Sequence, residues 1–145
     1  MMRNLKKYIK KQIYIELGKN SFYGVVTDLG EDILVLFNGI QYIYMPVDHI
    51  NHIQFNTNQE KQVDQPIEDY LLEQIETLSL LNVLITTKEW FTEIHVAGNF
   101  SFYGYITEIY DDYFSFYSSM YKQMYISLNH LKWLAPLYHS HSPKY

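Results

Sequence analysis

One internal duplication governs what this chain can fold into. At a constant spacing of 80 residues, 7 of the 20 positions in 18–37 are identical to those in 98–117. One inserted residue later the match resumes, and 44–50 aligns with 125–131. A gapless run followed by a single shift is the pattern that a duplicated structural unit leaves in a sequence. The 145 residues therefore predict two copies of one small fold.

The longest identical stretch is a block of four residues, which we call the repeated block. Its copies are Ser21, Phe22, Tyr23 and Gly24 in the first unit, and Ser101, Phe102, Tyr103 and Gly104 in the second. Alternate side chains of a strand point to opposite faces, so one ring of each block faces the core and the next faces outward. Exposed aromatic surface usually marks a partner contact. We therefore expect both blocks to form interaction surface, together with outward rings at Tyr14, Tyr42, Tyr105 and Tyr121.

Each unit has the pattern of five short strands. In the first unit, residues 13–17 alternate between apolar and polar side chains. The apolar run 33–37 is long enough for a buried strand and too short for a helix, and Asn38-Gly39 after it is a strong hairpin signal. The chain has only two alanines beside 15 isoleucines, which favours strands over helices. We therefore predict an all-β chain with short helices.

A helix is expected in front of each unit. Leu5, Tyr8 and Ile9 have helical spacing, with lysines on the other side. Pro66 suits the first turn of a second helix. The apolar stripe of that second helix would consist of Ile67, Leu71, Ile75, Leu78, Leu81 and Ile85.

These elements divide the chain into four segments. Residues 1–55 form the first unit, and the polar stretch 56–65 has the composition of a linker. Residues 66–137 hold the second helix and the second unit. Residues 138–145 are expected to be a flexible tail.

The two units also share a spaced motif of glycine, serine, acidic, tyrosine and histidine positions. In the first unit it comprises Gly18, Ser21, Gly24, Asp32, Tyr44, Val47, Asp48, His49, Ile50 and Ile53, and in the second Gly98, Ser101, Gly104, Asp112, Tyr125, Leu128, Asn129, His130, Leu131 and Leu134. This motif resembles the repeat of the spore coat protein B family of endospore-forming bacteria. The order of helix and five bent strands is similar to that of an Sm-like barrel.

The resemblance implies a fold and a role. The implied fold is two tandem Sm-like or SH3-like five-stranded barrels, each preceded by a helix. The implied role is that of a non-enzymatic structural and interaction protein in the spore coat, whose partners are other coat proteins or further copies of itself. The alternative is an Sm-like RNA-binding or regulatory module, in which His49 and His130 would face nucleic acid.

Charge and composition exclude several other functions. The formal net charge of −5 disfavours a broad nucleic-acid-binding surface, because phosphate contacts need basic residues. With no cysteine, thiol catalysis, disulfides and cysteine-based zinc sites are excluded. The N-terminal residues have no continuous apolar stretch of the kind found in signal peptides, so we expect synthesis in the cytoplasm. No apolar run is long enough for a membrane-spanning helix.

The histidines and acidic pairs have structural explanations. His49 and His130 occupy equivalent positions, and each either contacts a ligand or bonds backbone at a turn between strands. No set of cysteines and convergent carboxylates completes a metal site around them. Glu31-Asp32 and the equivalent acidic pair suit turns. We therefore expect no catalytic residues, no metal and no cofactor.

Overall fold

The computed structural model describes residues 2–66, 69 and 71–137, and its ten strands form one antiparallel sheet. The strands are β1 (Gln12–Leu17), β2 (Asn20–Leu29), β3 (Ile33–Phe37), β4 (Tyr42–Pro46), β5 (His52–Phe55), β6 (Phe91–Val96), β7 (Phe100–Ile109), β8 (Tyr113–Ser118), β9 (Lys122–Ser127) and β10 (Leu131–Pro136). The strand order is β5-β1-β2-β3-β4 in the first unit and β10-β6-β7-β8-β9 in the second. The prediction of a mainly β chain with a duplicated strand pattern is confirmed.

The two units meet at the centre of the sheet. Strands β4 and β10 pair antiparallel there, with Leu134 opposite Tyr44. Strands β5 and β9 lie at the two ends of the sheet. The sheet is therefore continuous across both units and does not close on itself, whereas the sequence led us to expect two separate barrels. The difference arises because β4 pairs with β10 of the other unit, whereas closure of each barrel would need the fourth strand to pair with the fifth strand of its own unit.

Equivalent irregularities bend the two halves. The register between β2 and β3 shifts between Val26 and Asp28, and the register between β7 and β8 shifts between Ile106 and Glu108. These positions are 80 residues apart, as in the sequence repeat. An extra residue in one strand bends it and increases its twist. The duplication therefore extends to the curvature of the sheet.

The chain has two buried apolar clusters. The first lies inside the first unit and includes Ile13, Ile15 and Leu36. The second fills the second unit with Phe114 and Phe116, and continues onto the outer side of β3 and β4. The side chains of the first unit in this second cluster are Ile33, Val35 and Tyr44. The two units thus share the second cluster across their junction, since both supply side chains to it.

The helix before the first unit is a 3-10 helix, Met2–Tyr8. Leu5 and Tyr8 are buried in the first cluster, as their spacing predicts. Further 3-10 turns occur at Val47–His49, Gln59–Lys61, Leu72–Gln74 and Leu128–His130.

The prediction of a long helix that begins at Pro66 is wrong. The α-helix of the described residues, α1, spans only Leu80–Thr87. The Ser79 side chain accepts a hydrogen bond from the backbone N–H of Asn82 and so sets the start of α1. Before it, the carbonyl of Leu78 accepts from the N–H of Glu31, which holds this stretch extended against the first unit. Ile67 of the expected stripe lies outside the described residues.

The polar segment 56–65 lies along the first unit. The side chain of Gln12 exchanges two hydrogen bonds with the backbone of Val63, at 2.9 and 3.1 Å. The ammonium of Lys61 lies 5.6 Å from the ring centroid of Tyr23. The predicted tail at 138–145 lies outside the described residues.

Candidate interaction site

The two copies of the repeated block lie in the first halves of β2 and β7. Both phenylalanines face the interior, because Phe22 pairs with Ile15 and Phe102 pairs with Ile94 across the sheet. Phe22 makes an edge-on contact with Trp133 from the other unit, at 4.9 Å between ring centroids. This ring contact ties the two units together.

Both glycines of the block are required by a close backbone approach. A Cβ atom on Gly24 would collide with the carbonyl oxygen of Phe37, and one on Gly104 would collide with that of Tyr117. No side chain fits there without separating the paired strands. The glycines of the repeated block are therefore structural and do not belong to a surface.

The tyrosines of the block differ in exposure although their sequence context is identical. Tyr23 is half-buried, with its ring tilted against that of Tyr14 at 5.1 Å between centroids and covered by Lys61. Tyr103 is 51% exposed. The negative charge of Glu93 raises the pKa of the Tyr103 hydroxyl, so the ring stays neutral and protonated in the physiological range. Of the two tyrosines, Tyr103 is the one available to a partner.

Tyr103 belongs to a larger exposed set on the outer side of the second unit, which we call the tyrosine face. Its members are Tyr103, Tyr105, Tyr110, Tyr113, Tyr117 and Tyr125. Tyr105 lies opposite Tyr117, so rings of adjacent strands form a row. The rings of Tyr110 and Tyr113 stack at 4.5 Å, and Tyr125 meets Tyr113 edge-on at 6.0 Å. The tyrosine face thus holds six exposed rings on one side of the second unit, an amount of aromatic surface that monomeric proteins seldom leave bare.

The four supporting rings expected from the sequence divide evenly. Tyr105 and Tyr121 are exposed, whereas Tyr14 and Tyr42 are half-buried. Both half-buried rings belong to the first unit, whose outer side the chain itself covers. The serines, Ser21 and Ser101, are exposed.

His49 and His130 come close to each other at the junction of the units. His49 is half-buried, and its Nδ1 lies 3.1 Å from the ammonium of Lys132. Burial and then the charge of Lys132 lower the pKa of His49, and His130 acts in the same direction. A neutral His49 can accept the hydrogen bond that Lys132 donates. His49 therefore holds the junction, while His130 is exposed beside it.

The junction contains a polar site that the sequence analysis missed. The buried ring of His95 stacks on Trp133 at 3.9 Å, almost parallel. Its Nδ1 lies 2.8 Å from the hydroxyl of Ser101, and its Nε2 lies 2.9 Å from Oδ1 of Asn99. The Asn99 oxygen also accepts a hydrogen bond from Nδ2 of Asn20 at 3.0 Å. This network joins the turn after β1 to the turn after β6.

A shallow cavity of about 240 Å³ opens beside this network. Lys19, Asn20, His95, Asn99 and Lys132 line it. Asn99 directly follows the repeated Gly98, and Asn20 follows the repeated Gly18 after one intervening residue. The asparagine near a repeated glycine in both units was the one sequence signal that could have indicated this contact. Polar residues at equivalent turns can meet where two equivalent units pack against each other.

Two further findings concern the described residues alone. Within 2–66, 69 and 71–137, no three histidine, aspartate or glutamate side chains converge in a way that could hold a metal ion. In the same ranges, no helix has both the length and the apolar character that crossing a membrane requires.

Comparison with known proteins gives one relative. The protein named "Uncharacterized protein YwrJ" from Bacillus subtilis (strain 168) is 34% identical over 140 residues, which cover 93% of this chain. The present chain spans 62% of the relative's length. No protein-family model matches the chain, and no solved structure matches it. The similarity extends over both units.

Proposed function

We propose that this protein is a non-enzymatic structural and interaction protein of the spore coat, which works by self-association. The observation that carries the proposal is the position of the end strands. β9 has the same position in the second unit as β4 has in the first. Likewise, β5 has the same position in the first unit as β10 has in the second. β4 and β10 pair at the centre, so the two end strands have the edges that this chain already uses for pairing. An unpaired strand edge is a template for another chain.

The same strand order supports the assignment of each unit as Sm-like. A helix is followed by five bent strands, and the fifth strand pairs beside the first in both units. In this proposal the units are Sm-like or SH3-like folds opened toward each other at the shared junction. Membership of the coat rests on the motif shared with the spore coat protein B repeat.

The alternative, an RNA-binding or regulatory module, has less support. Lys132 beside His49 is the basic pair that the junction offers. The second unit carries nine acidic and three basic residues, which repel phosphate. Contact through exposed rings and strand edges fits this charge distribution better.

Self-association is tested by measuring the mass of the protein in solution. Light scattering behind a sizing column should give multiples of the 17.4 kDa chain mass, and the multiple should increase with concentration. The pair Gln123→Lys and Tyr125→Lys places charges on the β9 edge and should return the protein to single chains, since lysine blocks edge pairing. The matched pair Ile40→Lys and Leu81→Lys lies at exposed sites outside the end strands and should assemble normally. A wild-type protein that stays single at all concentrations contradicts self-association.

The coat role is tested separately in the producing organism. Immunoblots of fractionated spores should find the protein in the coat fraction. Protein that is confined to the cytosol of growing cells removes the coat role, and leaves the result of the mass measurement unaffected.

A further inference from the structure

The outer sides of the two units are covered differently. In the first unit, Ile33 and Tyr44 point outward from β3 and β4, yet both are completely buried. The equivalent residues of the second unit are Tyr113 and Tyr125, of which Tyr125 is 67% exposed. The part of the chain that covers the first unit has no counterpart over the second among the described residues. The tyrosine face therefore corresponds to a surface that this protein buries elsewhere in the same chain.

The cover of the first unit comes largely from the start of the second. Helix α1 lies against β4 as well as β7. Val83 of α1 and Trp90 after it share a buried cluster with Ile33 and Tyr44. The helix that leads one unit thus packs on the outer side of the unit before it.

The N-terminal helix has the same position relative to the first unit as α1 has relative to the second. Lys10 and Glu89 follow the two helices and share a positive φ, of 66° and 69°. The N–H of Lys10 donates to the carbonyl of Val26, and that of Glu89 donates to Ile106. These residue pairs are 79 and 80 apart, so the connection from helix to first strand is the same in both units. The N-terminal helix is therefore placed to cover the unit of another chain.

The residues at that helix match the tyrosine face. Counted from Lys10 and Glu89, Asn4 replaces Val83 and Lys11 replaces Trp90. Val83 and Trp90 are apolar and meet the apolar side of the first unit. Asn4 on the N-terminal helix and Lys11 after it are polar and cationic, and both are exposed. Lysine ammonium groups bind the faces of tyrosine rings.

The net charges of the two units are complementary as well. Residues 1–55 carry six basic and five acidic residues, whereas residues 66–137 carry three basic and nine acidic residues. Exposed Glu108, Asp111 and Asp112 lie beside Tyr110 and Tyr113 in the chain. Exposed Lys6, Lys7, Lys10 and Lys11 accompany the N-terminal helix. A positive end and a negative aromatic end of one molecule favour contact between copies.

From these observations we propose that the tyrosine face binds the N-terminal helix and β5 of a second copy of this chain, head to tail. This inference rests on the proposed self-association and names its interface. At the internal junction Leu134 lies opposite Tyr44. In the sequence repeat Ile53 is equivalent to Leu134, and Tyr125 is equivalent to Tyr44. The corresponding pair between copies is therefore Ile53 opposite Tyr125. The exposed ring of Phe55 at the end of β5 adds apolar area to the same contact.

Head-to-tail contact has a consequence for assembly. Each copy uses two different surfaces, one at each end of the sheet, so every bound copy leaves one end open. Contacts of this kind produce a closed ring if the rotation between copies completes a circle, and a filament if it does not.

An engineered disulfide tests the predicted register. The chain has no cysteine, so Ile53→Cys and Tyr125→Cys supply defined single thiols in two separate preparations. Oxidation of their mixture should give a cross-linked species of two chains, in excess of that formed by either preparation alone. The pair Ile53→Cys and Lys122→Cys, three residues out of register, is the matched control and should cross-link less. A cross-link that forms best within the Ile53→Cys preparation alone indicates symmetric β5 pairing and overturns the proposal.

Surface variants test the two ends independently of the register. The double variant Lys7→Glu and Lys11→Glu should prevent binding through the N-terminal helix. The double variant Tyr113→Ser and Tyr125→Ser should prevent binding through the tyrosine face. Each variant alone should therefore have the mass of one chain. A mixture of the two variants should form species of two chains and no larger, because each keeps one working end. The pair Lys19→Glu and Lys61→Glu makes the same charge change elsewhere and should assemble as the wild type does.

The outcomes separate this inference from the function on which it rests. Assembly that survives both surface variants and is lost in the β9 lysine variant leaves self-association standing and overturns the helix-on-tyrosine contact. A wild-type protein that never assembles overturns both. Circular dichroism of each variant verifies that the sheet has formed.

Discussion

At the scale of single residues, identical letters have different roles in the two units. Gly24 and Gly104 are both fixed by a backbone carbonyl of the next strand. Tyr23 and Tyr103 share the same neighbours in sequence, yet one is covered by Lys61 and the other is exposed. The glycine is set by a contact inside its own unit, whereas the tyrosine depends on what the rest of the chain places over it.

The glycine contact gives a stability prediction. Gly104→Ala inserts a methyl group against the carbonyl of Tyr117 and should lower the free energy of unfolding by about 1–3 kcal/mol, the usual cost of overpacking. Urea unfolding followed by circular dichroism measures the change. Ser119→Ala, at an exposed site in the turn between β8 and β9, is the control and should change stability by less than about 0.5 kcal/mol. Equal stability of Gly104→Ala and wild type would contradict the close approach.

At the scale of elements, capping and tertiary contact decide where α1 begins. The apolar stripe from Ile67 to Ile85 suggests a long helix, but Leu81 and Ile85 are about half exposed. The N–H of Leu80 donates to the carboxylate of Asp32 in the first unit, and Ser79 caps the same turn. Bonds to the first unit thus outweigh the helical preference of the residues before Ser79.

The cap gives a second stability prediction. Ser79→Ala removes the acceptor of the Asn82 N–H and should cost about 1 kcal/mol. Ser79→Thr keeps a hydroxyl acceptor at this position and should retain most of the wild-type stability, which separates the loss of the cap from the loss of side-chain volume. Thermal unfolding of the three proteins measures the difference. An alanine variant as stable as the threonine variant would show that the cap contributes nothing.

At the scale of the whole molecule, the two units are one sheet with a polar and aromatic junction. His95, Trp133 and the asparagine pair lie where the units meet, and His49 lies beside Lys132 on the other unit. Burial is the first cause that lowers the pKa of both histidines below the usual 6.5. Both rings are therefore neutral in the folded protein at neutral pH.

This junction predicts a loss of stability in weak acid. With the histidine pKa lowered in the folded state, the unfolded chain binds more protons between the lowered value and 6.5. The stability present above 6.5 is thus lost as the pH falls through this interval. The melting temperature should decrease between about pH 7.5 and 5.5, and decrease less in His49→Gln with His95→Gln. The control His130→Gln, at an exposed ring, should follow the wild type. An unchanged slope in the double variant contradicts the role of these rings.

The sequence by itself determined the repeated unit, because strand alternation, turn residues and glycine contacts act over a few neighbouring positions. It predicted the mainly β fold, the strands of each unit and the placement of one ring of each repeated block toward the core. Only the tertiary structure decided that β4 pairs with β10, that His95 meets Asn20 and Trp133, and that one tyrosine surface is covered while its copy is bare. These features depend on how the two equivalent units are joined. Because equivalent residues have the same local sequence, that sequence does not determine which of the two copies the rest of the chain buries.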